Sequence, residues 1–558
     1  MAPTVVEENA TKVVPWAYMR KGEWFIFSKE DCEKLEGCRD FIPVVVDQGR
    51  LEVTVHERTV SAVFWKEGPY PVIRTEWLFE SSGGKFFPIP EDEATEINRY
   101  WASLPKDTAH YFSLPVEDHM TAHEIKFGPS KSPTEQKISE LFLKCAHTRS
   151  RRCKAIHHGY PGWTSAPVPG SIKSPSSAST DHSRSSTSTD TRREVNHVVF
   201  VVHGIGETYC KKRQADGTIV DYCYAMRQST ESILTSHFPT VAAGIEYLPV
   251  DWSDVMRDMG DDLHAMLHRI SFEAMPFVRE ICNELLSDIL MYMERKQKVL
   301  AFVATYMNSI YALYKHRHPS FQGKVSILGH SLGSVITYDL LSAQHATHGD
   351  ATLHLDFHPD AYFAFGAPIG LFLALRGRGH GDTLALPTVS RMYNINHPSD
   401  PISYRLEPLL YAKAKVLPPV RLNTFSGWKR IHHAVQDIVE SLESSQKKLA
   451  KDIGTAFNNL GNMLKPKPLD NTVDGGEDSA GNDAPTDENV HLEAMLARLN
   501  PRTKRLDFVL PESEIEALTP LAALTAHTGY WNSMDFVLFI VTQLVDETDS
   551  SNTLTSAT

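Results

Sequence analysis

Three residues in this chain have types and an order that could support acyl transfer: Ser331, Asp400 and His527. Ser331 lies in residues 324–341, KVSILGHSLGSVITYDLL. This stretch reads as a short apolar strand, a Gly-His-Ser-Leu-Gly turn, and a helix in which Leu332, Val335, Ile336 and Leu340 recur at helical spacing. The pattern is G-x-S-x-G, a sharp strand-to-helix turn that lifts a serine hydroxyl clear of a sheet. Gly329 and Gly333 let strand and helix approach closely enough for that turn. The helix N-terminus behind the serine offers the Leu332 N–H and a positive dipole end to a developing oxyanion.

A serine hydroxyl is a weak nucleophile until a base takes its proton and an acid orients that base. In this class of site the partners follow in chain order as Asp, then His. Asp400 sits in NHPSDP (residues 396–401), just after the apolar strand pattern RMYNI. The competing reading is an ordinary Asp-Pro turn. His527 sits in AHTGYWNSMDFVLFI, after RLDFVL. With 26 histidines in the chain, order and context select this one rather than its mere presence. His527 would take the Ser331 proton, while Asp400 would fix its tautomer and stabilise the imidazolium.

The elements that must position these residues are those of a mostly parallel sheet. HVVFVVHGIGE (residues 197–207) carries a continuous apolar run of strand length at 198–202, as expected for a strand buried on both faces. It ends in His203-Gly204-Ile205-Gly206, where such a fold places the second oxyanion donor. Ile205 N–H beside Gly204 is the candidate, and a plain strand-to-helix turn is the alternative. Further strands are expected at 244–250, 362–365, 391–395 and 505–510, with a long helical region over 277–314.

Composition sets outer limits. With 558 residues, the chain has room for about two to four domains. A formal charge of −13 argues against a nucleic-acid partner, and means that an anionic ligand needs a local basic patch. Seven cysteines, none spaced C-x-x-C, and an N-terminus without a signal-like pattern lead to the expectation of reduced thiols in a cytoplasmic setting. Cys145 and Cys153 with His147, His157 and His158 match no familiar metal spacing. The longest apolar run, 361–375, is broken by Pro368 and too short to span a bilayer.

The expected organisation is a disordered start (1–13), a β-rich module (14–105), a connecting region (106–164) and a disordered Ser/Thr-rich linker (165–194). The α/β part follows over 195–463, interrupted by an acidic disordered insertion at 464–490, and resumes over 491–546 before a disordered tail (547–558). In the module, the aromatics Trp16, Tyr18, Trp24, Phe25 and Phe27 suit either a core or a ligand surface, and Asp47-Gln48-Gly49 marks a hairpin. Residues 428–463 form an amphipathic pattern, open to a lid or membrane-surface helix or to packing on the core.

Taken in order, HVVFVVHGIGE, GHSLGSVITYDLL, FGAPIGLFLALR, YNINHPSDPISYRLEP, RLDFVL and AHTGYWNSMDFVLFI resemble the DDHD-domain intracellular phospholipases. WAYMRKGEWFIFS, GRLEVTV and WLFE are similar to the WWE-like module of the same family. The resemblance implies an α/β-hydrolase preceded by a β-rich module. It implies cleavage of the sn-1 acyl ester of phosphatidic acid through Ser331, and peripheral association with an organelle membrane of the ER, Golgi or mitochondria. The family's Gly-Ser-Pro-Ile-Gly carries Ala367 here, and no SAM-like segment is recognisable. The four residues behind the family's name fall on Asp400, Asp507, His527 and Asp535. A divalent metal at that quartet competes with the triad for Asp400 and His527, whereas the triad needs no cofactor. Lys211, Arg376, Arg378 and Arg405 are candidates to hold the lipid phosphate, with a structural ion pair the alternative for Arg405. The expected partners are a phospholipid surface and phosphatidic acid, with self-association left open. Rival readings are an esterase acting on neutral glycerides or other phospholipids, and a trafficking scaffold with an idle hydrolase fold.

Overall fold

The computed structural model describes residues 13–38, 41–81, 85–103, 193–205, 217–255, 276–344, 351–377, 388–410, 417–425, 487–511 and 526–545. Shorter described pieces are 110–112, 122–127, 138–143, 153–160, 163, 207, 266–267, 269–272, 384 and 386. The expected linker up to residue 192, the amphipathic pattern at 428–463, the acidic insertion up to residue 486, and residues 1–12 and 546–558 lie outside the described residues, as do Cys145 and His147, whereas Glu194 opens a strand (Glu194–Val202) and 487–490 open a helix (Asp487–Leu499) where disorder was expected. The chain divides into two compact units, Met1–Thr191 and Arg192–Thr558.

The first unit is antiparallel β structure. Strands β1 (Trp16–Arg20), β2 (Glu23–Ile26), β3 (Val44–Val46), β4 (Leu51–Thr54), β5 (Thr59–Ala62) and β6 (Tyr70–Arg74) form one sheet in the order β2-β1-β6-β5-β4-β3. The turn between β3 and β4 is the expected one: Asp47, Gln48 and Gly49 all have positive φ, which reverses the chain tightly. Trp16, Tyr18 and Phe27 lie in the core with Leu51, Val53 and Val60, closed by Cys32 and Leu35 of the helix Lys29–Gly37. Two expectations change here. Residues 72–79 read in the sequence as one strand, but they form two, because Thr75 breaks the run. Its hydroxyl donates to the carbonyls of Trp77 (2.8 Å) and Ile89 (2.6 Å), and the chain turns into β7 (Trp77–Ser81) of a different sheet. Segment 106–164 also carries strands of its own: after β8 (Phe86–Pro88) come β9 (His110–Phe112), β10 (Ala122–Phe127), β11 (Ile138–Leu143) and β12 (Cys153–His158), and β12 pairs with β7.

The second unit is an α/β fold around a parallel seven-stranded sheet. Its strands are β13 (Glu194–Val202), β14 (Ala243–Val250), β15 (Lys324–His330), β16 (Pro359–Phe365), β17 (Arg391–Asn396), β18 (Val420–Arg421) and β19 (Asp507–Val509), in the order β14-β13-β15-β16-β17-β19-β18. Val198 to Val202 are fully buried, as a strand covered on both faces requires. One face packs Phe363, Phe365, Tyr393 and Phe508 against the helices Ile219–His237 and Met534–Leu544 in a single apolar cluster. The first of these helices starts at a capping box between Thr218 and Asp221. The long helix Pro276–Arg317 bends at Arg295, and the elbow helix Leu332–Ala343 is buried over most of its length. Among the described residues no helix is long and apolar enough to cross a membrane.

Candidate active site

All seven strands run parallel, so the connections leaving their C-terminal ends gather at one edge of the sheet. Ser331 leaves β15 there with φ 52 and ψ −127, a conformation costing about 1–3 kcal/mol for a residue with a side chain. The flanking glycines show what holds it. A Cβ on Gly329 would meet Thr337 Oγ1 at 2.7 Å and Ser334 Cα at 2.8 Å, and one on Gly333 would meet the His203 carbonyl oxygen at 2.2 Å. Strand, turn and helix are therefore packed closer than any larger residue permits.

The structure brings Ser331, His527 and Asp400 into one hydrogen-bonded chain. His527 Nε2 lies 3.0 Å from Ser331 Oγ, and His527 Nδ1 lies 3.1 Å from both carboxylate oxygens of Asp400. The Asp400 side chain is fully buried, while His527 keeps some exposure. Burial alone would raise the Asp400 pKa. The hydrogen bonds from His527, Ile402 N–H and the Tyr530 hydroxyl outweigh it and hold the carboxyl below its usual range. The Tyr530 hydroxyl donates to Asp400 (2.9 Å) and accepts from His397 N–H (2.7 Å), tying both ends of the turn that carries the acid.

Two further histidines support this chain. His330, beside the serine, donates from Nε2 to the His527 carbonyl (2.9 Å), its ring 4.9 Å from that of His527. Burial drives its pKa down to about 3, so the ring is neutral and adds no charge next to His527. His203 leaves β13 beneath Gly204. Its Nδ1 donates to the Gly204 carbonyl (2.7 Å), and its ring stacks on Trp252 at 4.9 Å and 6°. Trp252 Nε1 donates to the His203 carbonyl (2.8 Å), and Trp252 N–H donates to His203 Nε2 (3.1 Å). Burial opposes a charge on this ring, yet Asp251 and Glu207 turn the balance and raise its pKa. Nδ1 keeps its proton in either charge state, because Nε2 faces both the Trp252 N–H and Asp251.

That bond has a consequence for the neighbouring peptide. Gly204 C=O and Ile205 N–H share one planar trans unit and point in opposite directions. Holding the carbonyl with His203 fixes where the Ile205 N–H points. The Gly204 backbone also passes directly over the serine: a Cβ there would lie 2.7 Å from Ser331 Cβ and 3.3 Å from its Oγ. Leu332 begins the elbow helix, where N–H groups have no partner within the helix.

The quartet expected to be open to a metal is not gathered. Asp507 is fully buried, with both oxygens occupied: Oδ1 accepts from Asn394 Nδ2 and Leu406 N–H (both 2.9 Å), and Oδ2 from Glu407 N–H (3.1 Å) and Arg405 Nε (3.2 Å). Asp535, in the first turn of the helix Met534–Leu544, accepts from Phe425 N–H (2.5 Å). Among the described residues no three His, Cys, Asp or Glu side chains cluster so as to hold a metal ion. The donor set does not fit a metal at this quartet, because Asp400 and Asp507 already have both oxygens engaged by N–H and O–H donors.

Two of the four expected phosphate ligands are likewise engaged. Arg376 makes a bidentate pair with Asp339 (2.6 and 2.8 Å), which also accepts from Tyr292 and Lys296. Arg405 binds Asp507 and lies 3.8 Å from Glu407, which makes it a structural ion pair rather than a free cation. Lys211 and Arg378 lie outside the described residues. The sequence reading assigned nothing to Tyr530, His330 or the His203 side chain. Only the position of Tyr530 three residues after His527 could have hinted at its role.

Residues 355–489 and 469–545 match the model of the DDHD domain, a span that includes Asp400, Asp507, His527 and Asp535. A Schizosaccharomyces pombe protein named as a probable mitochondrial phospholipase is 27% identical over 94% of this chain and 85% of its own length. Phospholipase DDHD1 of Bos taurus is 24% identical over 91% of this chain and 70% of its own. Triacylglycerol hydrolase DDHD2 of Mus musculus is 25% identical over 95% of this chain and 92% of its own.

Proposed function

The chain carries a DDHD domain, and on that premise we propose that it is a serine-dependent lipid hydrolase, a phospholipase that cleaves the sn-1 acyl ester of glycerophospholipids with phosphatidic acid as preferred substrate. The observation that carries the reading is the Ser331–His527–Asp400 chain with its 3.0 and 3.1 Å contacts. Ser331 Oγ attacks the ester carbonyl while His527 Nε2 takes its proton. The carbonyl oxygen becomes an oxyanion facing the N–H groups of Leu332 and Ile205, each worth about 3–4 kcal/mol of barrier. His527 then protonates the departing lysolipid alcohol, leaving an acyl-serine. A water molecule deprotonated by His527 attacks that ester, releases the fatty acid and restores the serine. Asp400 stays ionised throughout and stabilises the imidazolium. No step needs a metal.

With Arg376 and Arg405 already paired, Lys211 and Arg378 are the remaining candidates from the original four for the headgroup phosphate. The alternative substrate is a neutral glyceride, favoured by the likeness to a protein named as a triacylglycerol hydrolase. The deciding experiment offers purified protein vesicles of phosphatidic acid and emulsified triacylglycerol, with Ser331→Ala in parallel. Fatty acid and 2-acyl lysophosphatidic acid from wild type alone support the reading. Release from triacylglycerol only would move the substrate to the neutral class. Release from neither, with Ser331 still labelled by a fluorophosphonate, would reject both substrates.

A further inference from the structure

Beneath the nucleophile lies a group of hydroxyls that the proton relay does not use. The elbow helix is apolar at Leu332, Val335, Ile336, Leu340 and Leu341, yet Ser334 and Thr337 are fully buried in it, as is Tyr362 of β16. Stability alone does not call for hydroxyls there: alanine forms helix more readily, and a buried hydroxyl must find a partner. Their partners are specific. Ser334 Oγ donates to the Ser331 carbonyl (2.5 Å), and the Tyr362 hydroxyl donates to the Ser334 carbonyl (2.6 Å). Thr337 Oγ1 lies 2.8 Å from the Gly333 carbonyl oxygen. All three hydroxyls are aimed at carbonyls of the turn that begins at the nucleophile.

Of these bonds, the one to Ser331 bears on the reaction. Ser331 C=O and Leu332 N–H belong to one planar trans peptide and point in opposite directions. Whatever holds the carbonyl therefore aims the Leu332 N–H, the donor at the start of the elbow helix. The tilt of this peptide follows from ψ −127 at Ser331, a residue whose φ of 52 lies in the left-handed region. Both sides of Ser331 are held. Its N–H donates to the Phe365 carbonyl (3.1 Å), and its carbonyl accepts from Ser334 Oγ and also from Ser334 N–H (3.0 Å). Two donors on one carbonyl draw electron density toward its oxygen, which makes the N–H of the same peptide a stronger donor.

We propose that Ser334 is a positioning residue for the oxyanion: its hydroxyl orients and polarises the Ser331–Leu332 peptide, so that the Leu332 N–H meets the developing charge. The inference rests on the acyl-transfer reading of Ser331, but not on which lipid supplies the acyl group. Full-length wild type, Ser334→Ala and Tyr362→Phe are compared on a water-soluble short-chain ester, against a trifluoromethyl ketone of the same chain length, and by melting curve. Ser331 Oγ adds to the ketone carbon, the carbonyl electron pair moves onto oxygen as an oxyanion, and the serine proton passes to His527. Ser334→Ala should lower kcat about tenfold with KM little changed, and weaken ketone binding by the same factor. The turn itself should survive, because the Ser334 N–H still reaches the carbonyl. The corresponding alcohol forms no oxyanion and should bind wild type and Ser334→Ala alike. Ser334→Cys fills the place with a thiol that donates only weakly, and should fall between Ser and Ala in both readouts. Tyr362→Phe breaks a bond of the same buried group, but to the Ser334 carbonyl, whose peptide carries the Val335 N–H. That variant should melt lower and keep kcat.

The proposal is overturned if Ser334→Ala or Ser334→Cys keeps wild-type kcat, or if kcat falls while ketone binding holds. It is also overturned if Tyr362→Phe loses kcat to the same extent, since the hydroxyls would then serve only to pack the helix. Failure of the two readings is separable. Wild type that turns over the soluble ester but neither phospholipid nor triacylglycerol loses the lipid assignment and keeps the role of Ser334 if the variants behave as expected. Wild type that cleaves phosphatidic acid while Ser334→Ala matches it keeps the phospholipase reading and loses this one. Wild type that neither turns over the ester nor binds the ketone removes Ser331 as nucleophile, and the role of Ser334 with it.

Discussion

Replacing His203 tests whether a side chain remote from the proton relay sets the oxyanion donor. His203→Ala removes the Nδ1–H that holds the Gly204 carbonyl at 2.7 Å. The carbonyl is then buried without its donor, a cost of about 1–3 kcal/mol, and the Gly204–Ile205 peptide is free to rotate. If the Ile205 N–H is lost entirely as a donor, the ceiling is about 10²–10³ in kcat. The interaction is made to the oxyanion rather than to the ground-state carbonyl, so kcat should fall with little change in KM. A water-soluble short-chain ester is the suitable substrate, because membrane docking does not enter. His203→Asn is the informative partner: its side-chain amide nitrogen can take the place of Nδ1 and donate to the same carbonyl, so activity should largely return. Because Nδ1 keeps its proton whether or not the ring is charged, titration of His203 should leave kcat unchanged. The reasoning fails if Asn and Ala variants lose activity equally, or if kcat holds while thermal stability drops, since His203 would then serve only to pack Trp252.

Other outcomes follow from the same geometry. Asp400→Asn should lower kcat by about 10⁴ with the fold intact, measured on the soluble ester beside a melting curve. Tyr530→Phe removes one hydrogen bond to a carboxylate whose pKa lies below its unfolded value, a stabilisation that is complete above the unfolded pKa and lost as pH falls through the folded one. The variant should lose about 1.5–3 kcal/mol near neutral pH, and its acid-unfolding midpoint should move up. Asp507→Ala strands Arg405, Asn394 and two backbone N–H groups, so denaturant titration should show a loss of about 3–5 kcal/mol. A chelator, in contrast, should leave wild-type turnover unchanged. Gly333→Ala forces a Cβ to 2.2 Å from the His203 carbonyl oxygen, and soluble yield and Ser331 labelling should fall together.

The parts of the site that could be read from sequence are those written locally. The elbow declares itself because a strand, two close-packing glycines and a helix fall within a single run of residues, and the close approaches at Gly329 and Gly333 are the contacts that spacing implies. The β13 and β16 strands were legible because a strand buried on both faces has no polar alternation to obscure it. What could not be read was pairing at a distance. Arg376 looked like a free cation, and Arg405 stayed open between a phosphate ligand and an ion pair, because their carboxylates lie 37 and 102 positions away along the chain. Tyr530 and Asp400 are 130 positions apart, and nothing in either neighbourhood announces the other. The break at Thr75 was missed because a hydroxyl that satisfies two carbonyls stops a strand without any glycine or proline to mark the place.

Those distant pairings also explain how acid and base meet despite the long stretch between them. The turn carrying Asp400 is fixed at both ends by the C-terminal segment. Tyr530 holds His397 and Asp400 at one end. At the other, Asp507 accepts from Leu406 and Glu407 N–H, while Glu407 accepts from Arg505 and from the N–H groups of Leu506 and Asp507. This exchange is reciprocal, each carboxylate satisfying the backbone of the other's strand or turn, and both carboxylates are fully buried. Such an arrangement has one low-energy register, because a shift by a single residue would leave buried charges without donors. Docking of β19 onto β17 therefore sets the Asp400 turn, and the same segment brings His527 to Ser331. The geometry at Ser331 depends on these bolts.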